Sequence, residues 1–348
     1  MAQASAQHLG DILYMNFDEK NRLGQTVLVT GGAGFVGSHL VDRLATEGKK
    51  LYVLDNLSSG RRDNISGQNV NLVQGDIRNA RLVDTLVKKS DIVFHLAEYI
   101  PETSSYGSGH VIKYSVENPL LDFDVSCRGS LTILDKCRRY DKEIVFTSSA
   151  AVYGENKNAP MNEDSPTAPS SPYGASKLCA ETYMVLYSKL YNMPVTVLRF
   201  CNIYGPRQRK YLMYDILLRL MENPKKLKIL GTGMGQRDFI YVDDAINAML
   251  LAVRSQKSNG VVFNVGTGTS VSIREAVGVI LRVIGIQPEI SFTQASWKGD
   301  VKKLGANVDR IRKLGFQPKY SLENGLKETI DWFKTQVCPS HSLGANLE

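Results

Sequence analysis

The sequence predicts an α/β fold in which a doubly wound parallel sheet is joined to a smaller C-terminal α/β lobe. Three observations predict it: from residue 26 an apolar run, a turn and a helix-period segment recur, the runs are apolar throughout, and beyond residue 202 the rhythm loosens. The expected strands are TVLVT, KLYVLD, NVNLVQGD, DIVFHLA, EIVFTSS and VTVLRF. Each is a continuous aliphatic or β-branched run, the pattern of a strand buried on both faces, because helices cover both sides of a parallel sheet.

After residue 202, Pro206, Pro224, Gly231, Gly233 and Gly235 punctuate shorter strand and helix pieces that run to about residue 336. The expected organisation is an extension over residues 1–24, a main domain over 25–201 to which later segments return, a second lobe over 202–338 and a polar tail over 339–348.

Composition narrows the class. With 348 residues, 43% hydrophobic and 22% charged, the chain is a globular protein, and disordered or collagen-like structure is excluded. No apolar run approaches the roughly 18 residues that span a bilayer, and the first residues lack the basic start and apolar block of a leader, so a cytoplasmic protein without membrane association is expected. Cys127, Cys137, Cys179, Cys201 and Cys338 form no CxxC pair and have no histidine at ligand spacing, which reads as reduced thiols and no metal site. A net charge of +7 suits an acidic ligand, nucleic acid or an anionic surface. The densest basic cluster, Arg207, Arg209 and Lys210, is short and has no interleaved aromatic patch, so a small anionic ligand is expected and nucleic acid is not.

The stretch VLVTGGAGFVGSHLVDRL sets Gly31, Gly34 and Gly37 between a buried strand and a helix with apolar residues at Val36, Leu40, Val41 and Leu44. Glycines at this spacing let backbone N–H groups approach a pyrophosphate at the positive end of a helix. Three glycines alone are also an ordinary tight turn. Asp55, closing the next strand, adds the carboxylate that accepts ribose hydroxyls and repels a 2′-phosphate. The pattern predicts a Rossmann-type site for NAD, while Arg61 and Arg62 just beyond keep a 2′-phosphate open.

Tyr173 and Lys177 form a YxxxK pair, and so do Tyr153 and Lys157. Spacing does not choose between them, but context does. Tyr153 leaves a strand into GENKNAPMNEDSPTAP, where no helix would align the pair, whereas Tyr173 follows Pro172 and opens a long amphipathic segment. Ionising a tyrosine at pH 7 costs about 4 kcal/mol, and one cation about 4 Å away supplies about the same at an effective dielectric near 20. Lys177 is therefore expected to make Tyr173 a usable base. Ser149, at the carboxyl end of EIVFTSS, stands where such sheets place their ligands and is expected to hydrogen-bond the same hydroxyl.

Taken together, TGGAGFVG, DNLSSG, GDI, HLA, SSAAVYG, YGASK, RFCNIYGPRQ, GQRDFIYVDD, FNVGTG and WKGDV resemble the extended short-chain dehydrogenase/reductases, and most closely their UDP-glucose 4-epimerase group, from Val27 to about Phe333. The resemblance implies that Tyr173, Lys177 and Ser149 are catalytic. It implies NAD contacts at Gly31, Gly34, Phe35, Val36, Gly37, Asp55, Asn56, Ser59, Gly60, Asp76, Ile77, Leu96, Ala97, Ser126 and Phe200, besides Tyr173 and Lys177. For a UDP-sugar substrate it implies Ser149, Asn202, Lys228, Leu230, Arg237, Trp297, Asp300 and Leu304. It also implies a homodimer built on the segments that follow Asn118 and Tyr173. The chain departs from the family at four places. Glu98 stands where alanine is usual, YIPETSSYGSGHVIK over 99–113 reads as an insertion, Ser126 replaces an asparagine, and Trp297 takes the place of an arginine that Lys298 would replace.

Oxidation of a sugar 4-hydroxyl gives a 4-keto sugar, from which this family epimerises, dehydrates or decarboxylates. The dehydratases carry Asp-Glu directly after the catalytic Ser/Thr, and the decarboxylases a Glu in that block. Here those positions are Ala150 and Ala151, which move no protons, so 4-epimerisation is expected. Dehydratase, decarboxylase or other epimerase chemistry is the alternative, with Glu98 as a substitute base. A non-catalytic NAD-binding regulator on the same fold is the remote one.

Overall fold

The structure, a computed structural model, describes residues 23–100, 111–155, 159–255, 258–294 and 301–337. In chain order the first half gives β1 (Thr26–Thr30), α1 (Phe35–Thr46), β2 (Lys50–Asp55), β3 (Val70–Gln74), α2 (Ala80–Lys88), β4 (Ile92–His95), α3 (Val111–Glu117) and α4 (Pro119–Asp122). A π-helical turn over Phe123–Gly129 then leads into α5 (Ser130–Arg139), β5 (Glu143–Ser149), a 3-10 turn over Ala150–Tyr153, α6 (Pro172–Tyr191) and β6 (Val195–Phe200). The expected strands all form, with NVNLVQGD and DIVFHLA trimmed to β3 and β4.

The second half gives β7 (Asn202–Tyr204), α7 (Tyr211–Glu222), β8 (Lys226–Ile229), β9 (Gln236–Tyr241), α8 (Val242–Arg254), β10 (Val261–Val265), β11 (Ser270–Ser272) and α9 (Ile273–Ile284). It ends with β12 (Glu289–Phe292), β13 (Lys303–Leu304), α10 (Asp309–Arg312) and α11 (Leu322–Gln336).

Seven parallel strands form one sheet in the order β10-β6-β5-β4-β1-β2-β3. Strand order reverses between β1 and β4, and ligands of doubly wound sheets bind outside the carboxyl ends at that reversal. β10 pairs with β6, so a segment well beyond residue 201 belongs to the main sheet. The remaining strands make small sheets: β9 pairs with β7, β11 and β13, and β8 with β12.

The core explains why both halves stay together. One apolar cluster runs from Val27, Leu40 and Val53 through Leu198 and Phe263 to Leu220, Ile280 and Phe333. A second cluster, with Leu28, Val93, Phe146 and Val197, fills the opposite face of the sheet, which accounts for the unbroken apolar runs. Among the described residues no helix is long and apolar enough to cross a membrane, and Cys127, Cys137, Cys179 and Cys201 are all free.

Candidate active site

The turn from β1 into α1 is built on glycine. Gly31 has φ +69°, and a Cβ there would lie 2.8 Å from the backbone of Ala97; at Gly37 it would lie 2.2 Å from the Gly31 carbonyl oxygen. Neither position admits a side chain, so strand, turn and helix close into a bare backbone cradle. Gly34 caps α1 without a side-chain hydrogen bond, leaving the positive end of the helix to a ligand. Asp55 sits across this turn. Its carboxylate accepts from Ala33 N at 3.0 Å and Leu57 N at 2.8 Å, and Gly60 packs against it. Burial raises the Asp55 pKa, opposed by the N–H groups of Leu57, Ala33 and Gly34. The carboxylate thus braces the glycine turn as well as facing the cavity beside it.

That cavity, of about 850 Å³, runs along the carboxyl edge of the sheet from the glycine turn to β13. On its wall lie Gly31, Gly34, Phe35, Val36, Gly37, Asp55, Asn56, Ser59, Asp76, Ile77, Leu96, Ala97 and Phe200 at one end, and Asn202, Lys228, Leu230, Arg237 and Leu304 at the other. Ser149, Tyr173 and Lys177 lie on the wall as well. Two residues expected at the cofactor stand behind it. Gly60 backs the Asp55 carboxylate, and Ser126 is buried in the π-helical turn, its hydroxyl accepting from Tyr99 N at 3.1 Å while its neighbour Val125 takes the wall. Trp297, Lys298 and Asp300 lie outside the described residues, as do Lys157, Cys338 and most of the 99–113 segment.

Helix α6 starts where the sequence places it. Ser171 accepts from Gly174 N at 3.2 Å, and Pro172 occupies the first turn. Tyr173 and Lys177 then fall one helical turn apart, both buried, and the Tyr173 hydroxyl is hydrogen-bonded to Ser149. Lys177 donates from Nζ to the Thr147 carbonyl oxygen at 2.8 Å and lies 6.0 Å from the centre of the Tyr173 ring. The electrostatics depart from expectation, because Lys177 Nζ is also 2.8 Å from Glu98 Oε2. Burial pushes the Tyr173 phenol well above its usual pKa and the Glu98 charge pushes it further; the Ser149 hydrogen bond opposes them, while Tyr211 and Asp122 add to the rise.

Tyr153 is a structural residue. It lies on the 3-10 turn rather than in the loop beyond, is buried, donates to Asn264 Oδ1 at 2.7 Å and accepts from Arg199 Nη1 at 2.7 Å. Two further buried groups were not apparent in the sequence. His95 bridges Thr30 Oγ1 at 2.6 Å and Ser130 Oγ at 2.8 Å, and burial pushes its pKa down to about 3, with Lys177 adding to the effect. Asp238, inside GQRDFIYVDD, accepts from Thr267 N at 2.9 Å and Gly268 N at 2.8 Å and so fastens the loop of FNVGTG. A polar, ionisable residue within an otherwise apolar strand was the available signal for His95; Asp238 follows Gln236 and Arg237 in β9 and carried no such signal.

A bare glycine cradle at the reversal point of a parallel sheet, with a tyrosine, lysine and serine drawn together at its edge, defines a Rossmann-type, dinucleotide-dependent protein. The chain belongs to the NAD dependent epimerase/dehydratase family, whose model matches residues 27–266. It is 35% identical over 320 residues to a UDP-glucose 4-epimerase of Mycolicibacterium smegmatis, covering 89% of this chain and 98% of the relative. Among solved structures it is similar to UDP-glucose 4-epimerase of Thermotoga maritima with UDP-glucose, at 33% identity and TM-score 0.80 over 90% of this chain and 99% of that one. It is also similar to UDP-N-acetylglucosamine 4-epimerase of Methanobrevibacter ruminantium in complex with UDP-N-acetylmuramic acid, at 31% identity and TM-score 0.80, over 90% and 99% of the two chains.

Proposed function

We propose that this protein is a nucleotide-sugar 4-epimerase that acts on UDP-glucose and UDP-galactose, their N-acetyl forms, or both, through a transient 4-keto sugar. The observation that carries the reading is the pair of alanines next to Ser149. Ala150 and Ala151 are buried and bear no acid or base, and the carboxylate of Glu98 is committed to Lys177. Elimination and decarboxylation lack the extra groups they need, whereas epimerisation needs one proton relay that works in both directions.

The residues present fit NAD, since Gly31 and Gly37 let strand, turn and helix pack backbone to backbone and Gly34 leaves the start of α1 without a side-chain cap, free for a pyrophosphate. When bound, NAD supplies a hydride acceptor that returns the hydride to the sugar. Asp55, Asn56, Asp76 and Ile77 hold its adenosine end, and Lys177 its nicotinamide end. Tyr173 takes the proton of the sugar 4-hydroxyl and gives it back, while Ser149 orients that hydroxyl. Asn202, Lys228 and Arg237 bind the nucleotide diphosphate, with Leu304 beside the sugar.

The same reading makes the protein a cytoplasmic homodimer with a main domain over 25–201 and a substrate lobe over 202–338. Its free thiols suit a reducing compartment. The dimer is supported by exposed apolar side chains on the two expected segments: Leu120 (83% exposed) and Phe123 on one, Leu186, Leu190 (63%) and Tyr191 on the other. Incubation with UDP-glucose and UDP-N-acetylglucosamine, with products identified by NMR, tests the activity. The expected result is the 4-epimer with no net NADH, and accumulation of NADH in step with product would make the protein a dehydrogenase.

A further inference from the structure

Glu98 lies on the active-site wall beside Tyr173 and Lys177, yet the proposed reaction gives it no task. Its carboxylate oxygen Oε2 lies 2.8 Å from Lys177 Nζ, on a lysine side chain only 3% exposed, while its own side chain is 18% exposed. The lysine is otherwise held by the Thr147 carbonyl oxygen. An ammonium that points its charge at a phenol stabilises the phenolate; an ammonium in contact with a carboxylate forms a nearly neutral pair when viewed from the phenol.

We infer that Glu98 is a positioning residue that withholds the charge of Lys177 from Tyr173, so that the tyrosine keeps its proton until a further positive charge enters the site. This rests on the reading of Tyr173 as the proton carrier. The groups facing Tyr173 leave little else to release the proton. Glu98 follows β4, Asp122 ends α4, Tyr211 opens α7, Lys177 shares α6 and Ser149 ends β5; burial, Glu98, Tyr211 and Asp122 hold the proton on Tyr173, and the hydrogen bond with Ser149 opposes them. Asp122 is fully buried, its Oδ2 accepts from Ser176 at 2.6 Å, and it acts on Tyr173 less strongly than Glu98 does.

The consequence concerns the 4-keto sugar. A bound dinucleotide would supply that further positive charge on its oxidised nicotinamide ring, and the affinity of Tyr173 for its proton would follow the charge in the site. Tyr173 is thereby kept protonated while the ketone is present, ready to return the proton to the keto oxygen.

The test compares wild type with Glu98→Gln, which keeps a hydrogen-bonding partner for Lys177 and removes the charge, and with Glu98→Ala in case the amide folds poorly. One readout is independent of turnover. Phenolate absorbance near 295 nm at about pH 9.5, taken as the difference between each protein and its Tyr173→Phe counterpart, is expected to be larger in Glu98→Gln than in wild type. The second is the acid limb of kcat, expected to move at least one pH unit lower in Glu98→Gln with KM for the sugar nucleotide little changed. If the acid limb stays put in an active enzyme, the inference is overturned, even where Glu98→Gln lowers stability, and the epimerase reading survives. If wild type turns over no UDP-sugar, the epimerase reading fails and the phenolate signal alone decides: equal signals overturn the role of Glu98, and a larger one upholds it.

Discussion

The Tyr153 hydroxyl donates to Asn264 Oδ1 at 2.7 Å, fastening the turn after β5 to β10, more than a hundred residues further along the chain. The same oxygen accepts from Arg199, whose guanidinium is paired with Glu181, and burial pushes the Tyr153 phenol up to about 12. Tyr153→Phe strands a buried acceptor on Asn264 and a donor on Arg199. It is expected to cost about 1–3 kcal/mol of stability, seen as a lower urea midpoint, while kcat of the folded protein stays near wild type. A loss of kcat matching that of Tyr173→Phe would move Tyr153 into the chemistry.

Tyr173→Phe removes the proton carrier and keeps the ring. Turnover is expected to fall by about 10²–10⁴-fold with NAD binding retained. Lys177→Ala is expected to lose comparable activity and, unlike Tyr173→Phe, to lower stability too, since it leaves the Glu98 carboxylate without its cation. Calorimetric titration with NAD alongside the product assay checks both, and full activity in Tyr173→Phe would sink the proposed mechanism.

The acid stability of the fold is expected to depend on His95. Its pKa of about 3 in the folded chain lies below the ordinary histidine value of 6.5. Between these values the unfolded chain binds a proton that the folded chain refuses, so stability is full above pH 6.5 and is lost as pH falls toward 3. One such group contributes a slope of about 1.4 kcal/mol per pH unit. His95→Asn keeps hydrogen-bonding capacity and lacks the titration, and its stability is expected to fall less steeply between about pH 6 and 4. Equal slopes would show that His95 takes up its proton in the folded state as well.

How much the sequence made legible depends on the range of the forces involved. β1 to β6 could be read because a sheet covered on both faces demands unbroken apolar runs, a local signal. Gly31, Gly34 and Gly37 could be read because a backbone that approaches a phosphate excludes Cβ atoms at set intervals. The pairing of Tyr173 with Lys177 was a matter of helical period, and the cap at Ser171 obeys the same local logic. Glu98 stood out only as a departure, because its partner is seventy-nine residues away and no spacing encodes that contact. Ser126 lies off the cavity wall for a related reason: alignment gives a position on the helix, whereas the π-helical turn decides which side chain meets the cavity.

Assembly is expected to rest on the apolar face of α4, the π-helical turn and α6. Leu190→Arg and Phe123→Asp place charges among Leu120, Leu186 and Tyr191 without touching the cavity wall. Light scattering at micromolar concentration is expected to show a dimer for wild type and a monomer for the paired substitution. A monomeric wild type would reject the dimer and leave that exposed face to another partner.

Substrate breadth is expected to turn on Leu304. In register with Arg237 across β13 and β9, it lies on the cavity wall and packs against the cluster formed by Ala150, Tyr153, Met161 and Cys201, which sets it near the end of β5 where Ser149 stands. In the epimerases that this sequence resembles, a tyrosine near this position tends to exclude a 2-acetamido group. Leucine lacks the ring and the hydroxyl, so it leaves space without offering a hydrogen bond. Apolar pockets separate close analogues by only about 1–3 kcal/mol, so UDP-glucose and UDP-N-acetylglucosamine are both expected to turn over, with specificity constants within roughly two hundredfold. Leu304→Tyr is expected to lower kcat/KM for the N-acetyl substrate selectively. Equal losses on both substrates would show that Leu304 is not the gate and would direct attention to the segment around Tyr106, which lies outside the described residues.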